Sequence, residues 1–188
     1  MKGTVKPWQR VRRKQLADCR IFSVEEVIAR SPGSGQEHGF YLIETGDWIN
    51  LVPVTRDREL VCIEQYRHGS DQITLEIPGG MLDLGENPAE AAIRECLEET
   101  GYEVRSAQPL GVLNPNPAIF SNSLHTYIGT DAREVAEISN TATEETRVVL
   151  VPLDDVESCL LSGRIDHALV AATLWRMLYL LKTNAIEI

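Results

Sequence analysis

Apolar and polar positions alternate with a short period through the first half of the chain. The stretch FYLIETGDWINLVPVT holds two apolar runs broken by Thr45-Gly46-Asp47, which predicts two strands joined by a turn. Residues 59–65 (ELVCIEQ) and 72–77 (QITLEI) predict two more strands, Gly79-Gly80 a break in the chain, and residues 82–86 a loop. Then the period lengthens. Asn87 followed by Pro88 is a helix start, a capping side chain and then a proline at the first helical position. Ala89, Ala92, Ile93, Cys96 and Leu97 fall at i, i+3, i+4, i+7 and i+8, one buried helical face, and Gly101 ends it. Further strands are expected near 103–113, 124–129 and 146–151, and helices at about 154–161 and 166–182. The last helix carries Leu169, Val170, Thr173, Leu174, Met177, Leu178 and Leu181 at helical spacing, which reads as core.

Ahead of these elements, residues 8–30 are expected to form strands of an N-terminal arm, and 31–38 (SPGSGQEH) a loop. Strands, a helix, strands and then helices describe a mixed α/β domain. The expected division is an arm at 1–45 and the main domain at 46–188. The arm holds Trp8, Ile21, Phe22, Val24, Val27 and Ile28 but is too short for a core of its own, which predicts a homodimer built partly from it.

Composition narrows the partners. The chain has 188 residues and a net charge of −10, which argues against general nucleic-acid binding because phosphate backbones need a basic surface. A small anionic substrate stays open, since bound cations reverse the field locally. The cluster Arg10, Arg12, Arg13 and Lys14 is either a phosphate patch or, the favoured reading, a solvated strand face. No apolar run approaches the roughly 18 residues that span a membrane, and the basic N-terminus lacks the apolar segment of a secretory signal, so a cytoplasmic protein is expected. Cys19, Cys62, Cys96 and Cys159 are widely spaced, which fits free thiols better than disulfides or zinc. His38, His68, His125 and His167 show no metal-ligand spacing.

The chemistry concentrates in GMLDLGENPAEAAIRECLEETGY, residues 80–102. Glu95 and Glu99 are four apart and share a helix face, with Glu98 in reach. Like charges at this spacing oppose the helix, and they sit at its C-terminal end, where the dipole also disfavours anions. A hard divalent cation, Mg²⁺ or Mn²⁺, would reverse both penalties. Arg94, four residues from Glu90 and from Glu98, reads as an ion-pair partner that orients the cluster. An exposed helix laced with Glu–Arg pairs is the plain alternative.

In this stretch Gly80, Glu86, Arg94, Glu95, Glu98, Glu99 and Gly101 stand at the spacing G-x5-E-x7-R-E-U-x-E-E-x-G-U, so the chain resembles the Nudix hydrolases; the two U slots, usually aliphatic, hold Cys96 and Tyr102. The resemblance implies a Nudix fold, a mixed sheet sandwiched between helices, here with an N-terminal strand arm. It implies metal-dependent hydrolysis of a nucleoside diphosphate linked to a second group, with metal held by Glu95, Glu98, Glu99 and the Gly79 carbonyl. Glu86 would be part of the ion-pair network or a peripheral ligand.

Three further segments are similar to the ADP-ribose and ADP-sugar pyrophosphatase branch. In IEQYRHGSDQITLEIPGG, Arg67 matches a substrate-phosphate arginine and Glu76 a carboxylate lining the same pocket. Pro117 falls fifteen residues after Tyr102, in NPNPAIFSNSLHTYIG, where that branch carries a proline. TATEETRVVLVPLDDV resembles the acidic loop that supplies the general base, which counting back from Val148 and Val149 places at Glu144, with Glu145 and then Glu98 as the residues to consider next. The branch implies a homodimer, in which Trp8 either stacks on an adenine or packs the interface. The reaction implied is ADP-ribose to AMP and ribose 5-phosphate. Dinucleoside polyphosphates, NADH and nucleoside triphosphates are the alternative substrates, and a Nudix-fold ligand sensor without catalysis is the alternative class.

Overall fold

The computed structural model describes residues 4–141 and 143–188. The chain separates into two compact units, Met1–Gly46 with Asn114–Ser123, and Asp47–Leu113 with Leu124–Ile188.

The first unit is an antiparallel sheet of β1 (Gln9–Asp18), β2 (Phe22–Arg30) and β3 (Glu37–Thr45), in that order. β3 starts inside the segment expected to be a loop, because Glu37 and His38 pair with Arg30 and Ala29 of β2. Only β2 is well covered, burying Glu25, Val27 and Ala29 at the two-residue period of a strand. Glu25 is satisfied there by Arg13 Nε (3.1 Å), while Arg13 Nη2 reaches Glu44 (3.1 Å). Arg13 is thus spent on structural carboxylates rather than held for a phosphate. All ten residues of β1 are exposed. Trp8 stands edge-on to His38 and Phe40, ring centroids 5.7 and 5.3 Å away. Asn114–Ser123, which sequence patterning groups with the main domain, belongs to this unit; Ile43 N–H donates to the Ile119 carbonyl (2.7 Å) and Ser121 Oγ to Glu44 (2.6 Å). Pro117 goes with it.

The second unit is a mixed sheet between helices, as the resemblance implies. Its strands are β4 (Trp48–Thr55), β5 (Glu59–Arg67), β6 (Gln72–Glu76), β7 (Gly79–Met81), β8 (Tyr102–Glu103), β9 (Gln108–Leu113), β10 (Leu124–Glu134) and β11 (Thr146–Pro152). The central order is β11-β5-β4-β10-β8, with β6 on β5, β7 on β4 and β9 on β10; among the described residues of this sheet only β4 and β10 run parallel. The strands β3 and β4 are linked only by Gly46 and Asp47, without an assigned turn, and belong to different sheets.

Helix α1 (Pro88–Thr100) covers one face, over Ile49, Leu51 and Val61. Helices α2 (Val156–Leu161) and α3 (Ala168–Lys182) cover the other, over Val52, Val54, Leu60 and Cys62. Alternate residues of β4 and β5 therefore feed opposite cores, which is why both strands read as continuous apolar runs. His167 caps α3, its Nδ1 accepting from Val170 N–H (3.4 Å), so this histidine is structural. All four cysteines are free; burial pushes the Cys62 and Cys96 thiols up to about 12, which leaves them inert. Among the described residues no helix is long and apolar enough to cross a membrane.

Two further expectations change. Gly79-Gly80 does not break the chain; it forms β7, with Gly79 and Gly80 opposite Asn50 and Ile49 of β4. Helix α1 buries Ala91, Ala92, Cys96, Glu99 and Thr100, while Ala89, Ile93 and Leu97 are only half-buried. Its inner face is rotated because the sheet beneath it accepts carboxylates as well as methyl groups.

Candidate active site

β4 and β5 pair with each other only at Val54–Leu60. Beyond that point each takes a different partner, β7 for β4 and β6 for β5. The chain crosses from one pair to the other through Ile77 and Pro78. Polar groups gather over this divergence, on the face that α1 covers.

Helix α1 delivers four of them, Arg94, Glu95, Glu98 and Glu99. Asn87 fixes its start, Oδ1 accepting from Ala89 N–H (2.9 Å) and Glu90 N–H (3.4 Å), and Gly101 ends it at φ 73°, a left-handed conformation that glycine adopts without strain. On the outer side Arg94 is a hub. Its Nε and Nη2 donate to the two Glu86 oxygens (2.9 and 3.1 Å), and its Nη1 to Glu95 (2.9 Å) and Glu98 (3.1 Å). Arg94 therefore orients the cluster, through Glu86 and Glu95 as well as Glu98, and Glu86 belongs to the ion-pair network. The hydrogen bonds from Arg94 hold the Glu86 carboxyl below its ordinary value.

On the inner side lies Glu99, almost fully buried, with Oε2 accepting from Gly79 N–H (2.9 Å). Burial pushes its carboxyl up to about 8, and the Glu95 and Glu144 charges add to the rise. Burial also raises Glu95, against the pull of Arg94. Gly80 makes room for this side chain: a Cβ there would stand 2.6 Å from Glu95 Cδ and Oε1. Among the described residues no three His, Cys, Asp or Glu side chains are gathered as a metal ion would require. The reason is visible in the bonding, since Arg94 engages Glu95 and Glu98 while the β7 backbone engages Glu99.

The second group comes from β5 and β6. Arg67 Nε and Nη2 donate to Glu76 Oε1 (2.7 Å) and Oε2 (2.8 Å), a two-pronged pair, and Thr74 Oγ1 adds a third bond to Oε1 (2.6 Å). Burial alone would raise the Glu76 carboxyl; the Arg67 and Thr74 hydrogen bonds outweigh it and hold the group below its ordinary value. Glu76 is thus buried beneath Arg67 rather than lining an open pocket, and Arg67 is the half-exposed member of the pair. Arg67 feels the fields of Glu99 and Glu144, which ties this pair to α1.

The third group is the loop between β10 and β11. Glu144 is exposed, and its charge adds to the rise of the Glu95 and Glu99 carboxyls. Thr141 Oγ1 donates to Glu144 Oε2 (2.9 Å). The structure so brings together Gly79, Arg94, Glu95, Glu98, Glu99, Arg67, Glu76 and Glu144. Trp8 and Pro117 lie in the other unit. Thr74, Asn140 and Thr146 are missed by sequence reasoning; a threonine or asparagine in a strand or loop carries no spacing signal of its own.

A NUDIX domain profile matches residues 49–173. A CMP-5'-(N-acetyl-N-hydroxy-3-aminopropyl)phosphonate hydrolase of Streptomyces rubellomurinus is 32% identical over 149 residues, covering 78% of this chain and 70% of the relative. An ADP-ribose pyrophosphatase of Mycobacterium tuberculosis is 28% identical over 158 residues, covering 81% of this chain and 74% of that one. A crystal structure of an ADP compounds hydrolase has the same fold, with a TM-score of 0.86 at 23% identity over 97% of this chain and 98% of its own.

Proposed function

The chain belongs to the Nudix family, and on that premise we propose that it hydrolyses the pyrophosphate bond of a nucleoside diphosphate sugar, cleaving ADP-ribose to AMP and ribose 5-phosphate. The observation that carries the reading is the end of α1, where the buried Glu99 carboxylate meets the Gly79 N–H, Glu95 and Glu98 share Arg94, and the loop that holds Glu144 is bonded to the Glu98 and Glu99 carbonyls.

The donor set fits a hard divalent cation. It is all oxygen, and burial with mutual repulsion has left Glu99 and Glu95 short of positive charge. Glu95, Glu98, Glu99 and the Gly79 carbonyl would hold Mg²⁺ or Mn²⁺, with Arg94 releasing carboxylate oxygens as the cation takes over their charge. Once bound, the cation would neutralise the pyrophosphate and lower the pKa of water. Arg67, braced by Glu76, offers its exposed edge to a phosphate oxygen, where a rigid guanidinium binds well. Glu144 takes the proton from a water as its oxygen attacks phosphorus. The bond to the bridging oxygen breaks, and that oxygen leaves on the other phosphate. Glu144 is preferred to Glu145 as the base because Thr141 holds it at both its backbone and its carboxylate.

The branch similarity and the Mycobacterium tuberculosis relative favour ADP-ribose. The Streptomyces rubellomurinus relative, named for a CMP-linked phosphonate, supports a second reading in which the leaving group is bound through a cytidine nucleotide. A phosphatase-coupled panel of ADP-ribose, other ADP- and CMP-linked compounds, NADH, Ap4A and nucleoside triphosphates, with Mg²⁺ or Mn²⁺, separates these. ADP-ribose is expected to turn over fastest; faster triphosphate or Ap4A hydrolysis would overturn the branch, and no turnover on any member would favour a ligand sensor.

The arm supports a homodimer, with Trp8 in its interface or against the substrate base. All of β1 is exposed, Val11 and Leu16 included, as are Phe40 and Tyr41 of β3, more apolar surface than a lone sheet keeps in water. A monomeric mass by sedimentation at micromolar concentration would refute it.

A further inference from the structure

Glu144 sits on an exposed loop, yet a general base has to stand within about 2.6–3.2 Å of the proton it removes. Exposed loops move, and a displacement of about 1 Å costs on the order of 100-fold in rate. Something has to register this loop against α1.

The last carbonyls of a helix have no partner inside it. In α1 the loop itself supplies them. Ser139 N–H donates to the Glu98 carbonyl (2.9 Å), and Thr146 Oγ1 to the Glu99 carbonyl (2.7 Å). Asn140 Nδ2 donates to Thr146 Oγ1 (2.8 Å), closing the loop across its own neck. Thr146 is also the first residue of β11 and pairs with Gln65 of β5, so the clamp stands on the sheet as well as on the helix. Inside the closed loop Thr141 holds Glu144 twice, its carbonyl accepting from Glu144 N–H (3.1 Å) and its hydroxyl donating to Glu144 Oε2 (2.9 Å). The two carbonyls held by the loop belong to the residues whose side chains are the candidate metal ligands.

We infer that Thr146 and Asn140 are positioning residues, which lock the Glu144 loop onto the last turn of α1 and so set the base against the carboxylate cluster. The inference rests on the reading of Glu144 as the base. Plain helix capping would account for the bonds from Ser139 and Thr146. It would not require the link from Asn140 to Thr146, nor the inner hold of Thr141 on Glu144.

The test is steady-state hydrolysis of ADP-ribose with Mg²⁺ by Thr146→Val, Thr146→Ser, Asn140→Ala, Glu144→Gln and the double variant Thr146→Val/Glu144→Gln, each checked for folding by circular dichroism. Thr146→Val keeps the shape and loses the hydroxyl. It should lower kcat about 10- to 100-fold with KM within about twofold, as expected when a supporting hydrogen bond is lost. Thr146→Ser should restore most of the rate. In the Glu144→Gln background Thr146→Val should add almost nothing, because the group it positions is already gone. Should Thr146→Val fail to fold, Asn140→Ala, which leaves the Thr146–Glu99 bond intact, carries the same comparison with a smaller loss. If Glu144→Gln is damaging while the clamp variants are silent or multiply with it in full, or if Thr146→Ser gives no rescue, the clamp is wrong and the base stands. If Glu144→Gln is itself near silent, the base reading falls and takes the clamp with it.

Discussion

Glu76 and Glu99 are buried to nearly the same degree, at 2% and 3% exposure, and serve the same face of the same sheet, yet they are held in opposite states. Around Glu76 the protein supplies Arg67 on both oxygens and Thr74 on one, and the carboxyl lies below its ordinary value although burial opposes this. Around Glu99 it supplies one backbone N–H and two neighbouring acids, and burial drives the carboxyl up to about 8. Burial alone therefore does not set what a carboxylate does. A paired one braces its partner; an uncompensated one is left short of positive charge.

The largest difference should appear in activity. Glu99→Gln still accepts from Gly79 N–H but loses its charge, so turnover at saturating Mg²⁺ should fall at least about 100-fold, with Glu95→Gln close behind. Glu76→Gln should act mainly through a raised KM, since it loosens Arg67 without removing it. Near-normal rates in both Glu95→Gln and Glu99→Gln would end the metal-site reading.

Stability should reverse that ranking. Glu76→Gln leaves Arg67 one acceptor oxygen instead of two, sets an amide NH₂ donor against its other N–H and removes the opposite charge, and should cost about 2 kcal/mol in urea unfolding, below the full cost of breaking a buried pair because Arg67 is half-exposed and can rehydrate. Glu99→Gln should leave the metal-free protein as stable as before, or more so, at pH 8. A loss in the Glu99 variant matching that in the Glu76 variant would mean that both carboxylates are structural.

The smallest effect is in the pH dependence of melting, measured in chelator. Glu76 has a lowered folded value, so its contribution is present above the ordinary value of 4.5 and is lost as pH falls through the folded one. Glu99 has a raised value. Between 4.5 and about 8 its folded form holds a proton that the unfolded chain has released, so stability falls as pH rises across that window and is level above it. Glu99→Gln should flatten this upper slope by a few degrees in Tm, and Mg²⁺ should do the same to the parent protein. An unchanged slope in the variant would remove Glu99 as its source.

What could be read from the chain alone is what depends on spacing along it. Asn87 and Pro88 start α1 and Gly101 ends it because capping is settled within one turn. Glu95 and Glu99 lie four apart and Arg94 beside them, so a charged cluster was legible from helical geometry, as were the strands, whose two-residue period is equally local. The tertiary structure decided the rest. Which carboxylate is buried depends on the rotation of α1 over the sheet, and the apolar stripe of that helix is too thin to set it. Arg67 finds Glu76 because β5 and β6 are in register; the Glu144 loop meets α1 because β11 pairs with β5. Asn114–Ser123 leaves the unit that precedes and follows it in sequence to pack with β3. Strand register and long-range packing arise from contacts between segments tens of residues apart, and a pattern of polar and apolar positions constrains each segment without naming its partner.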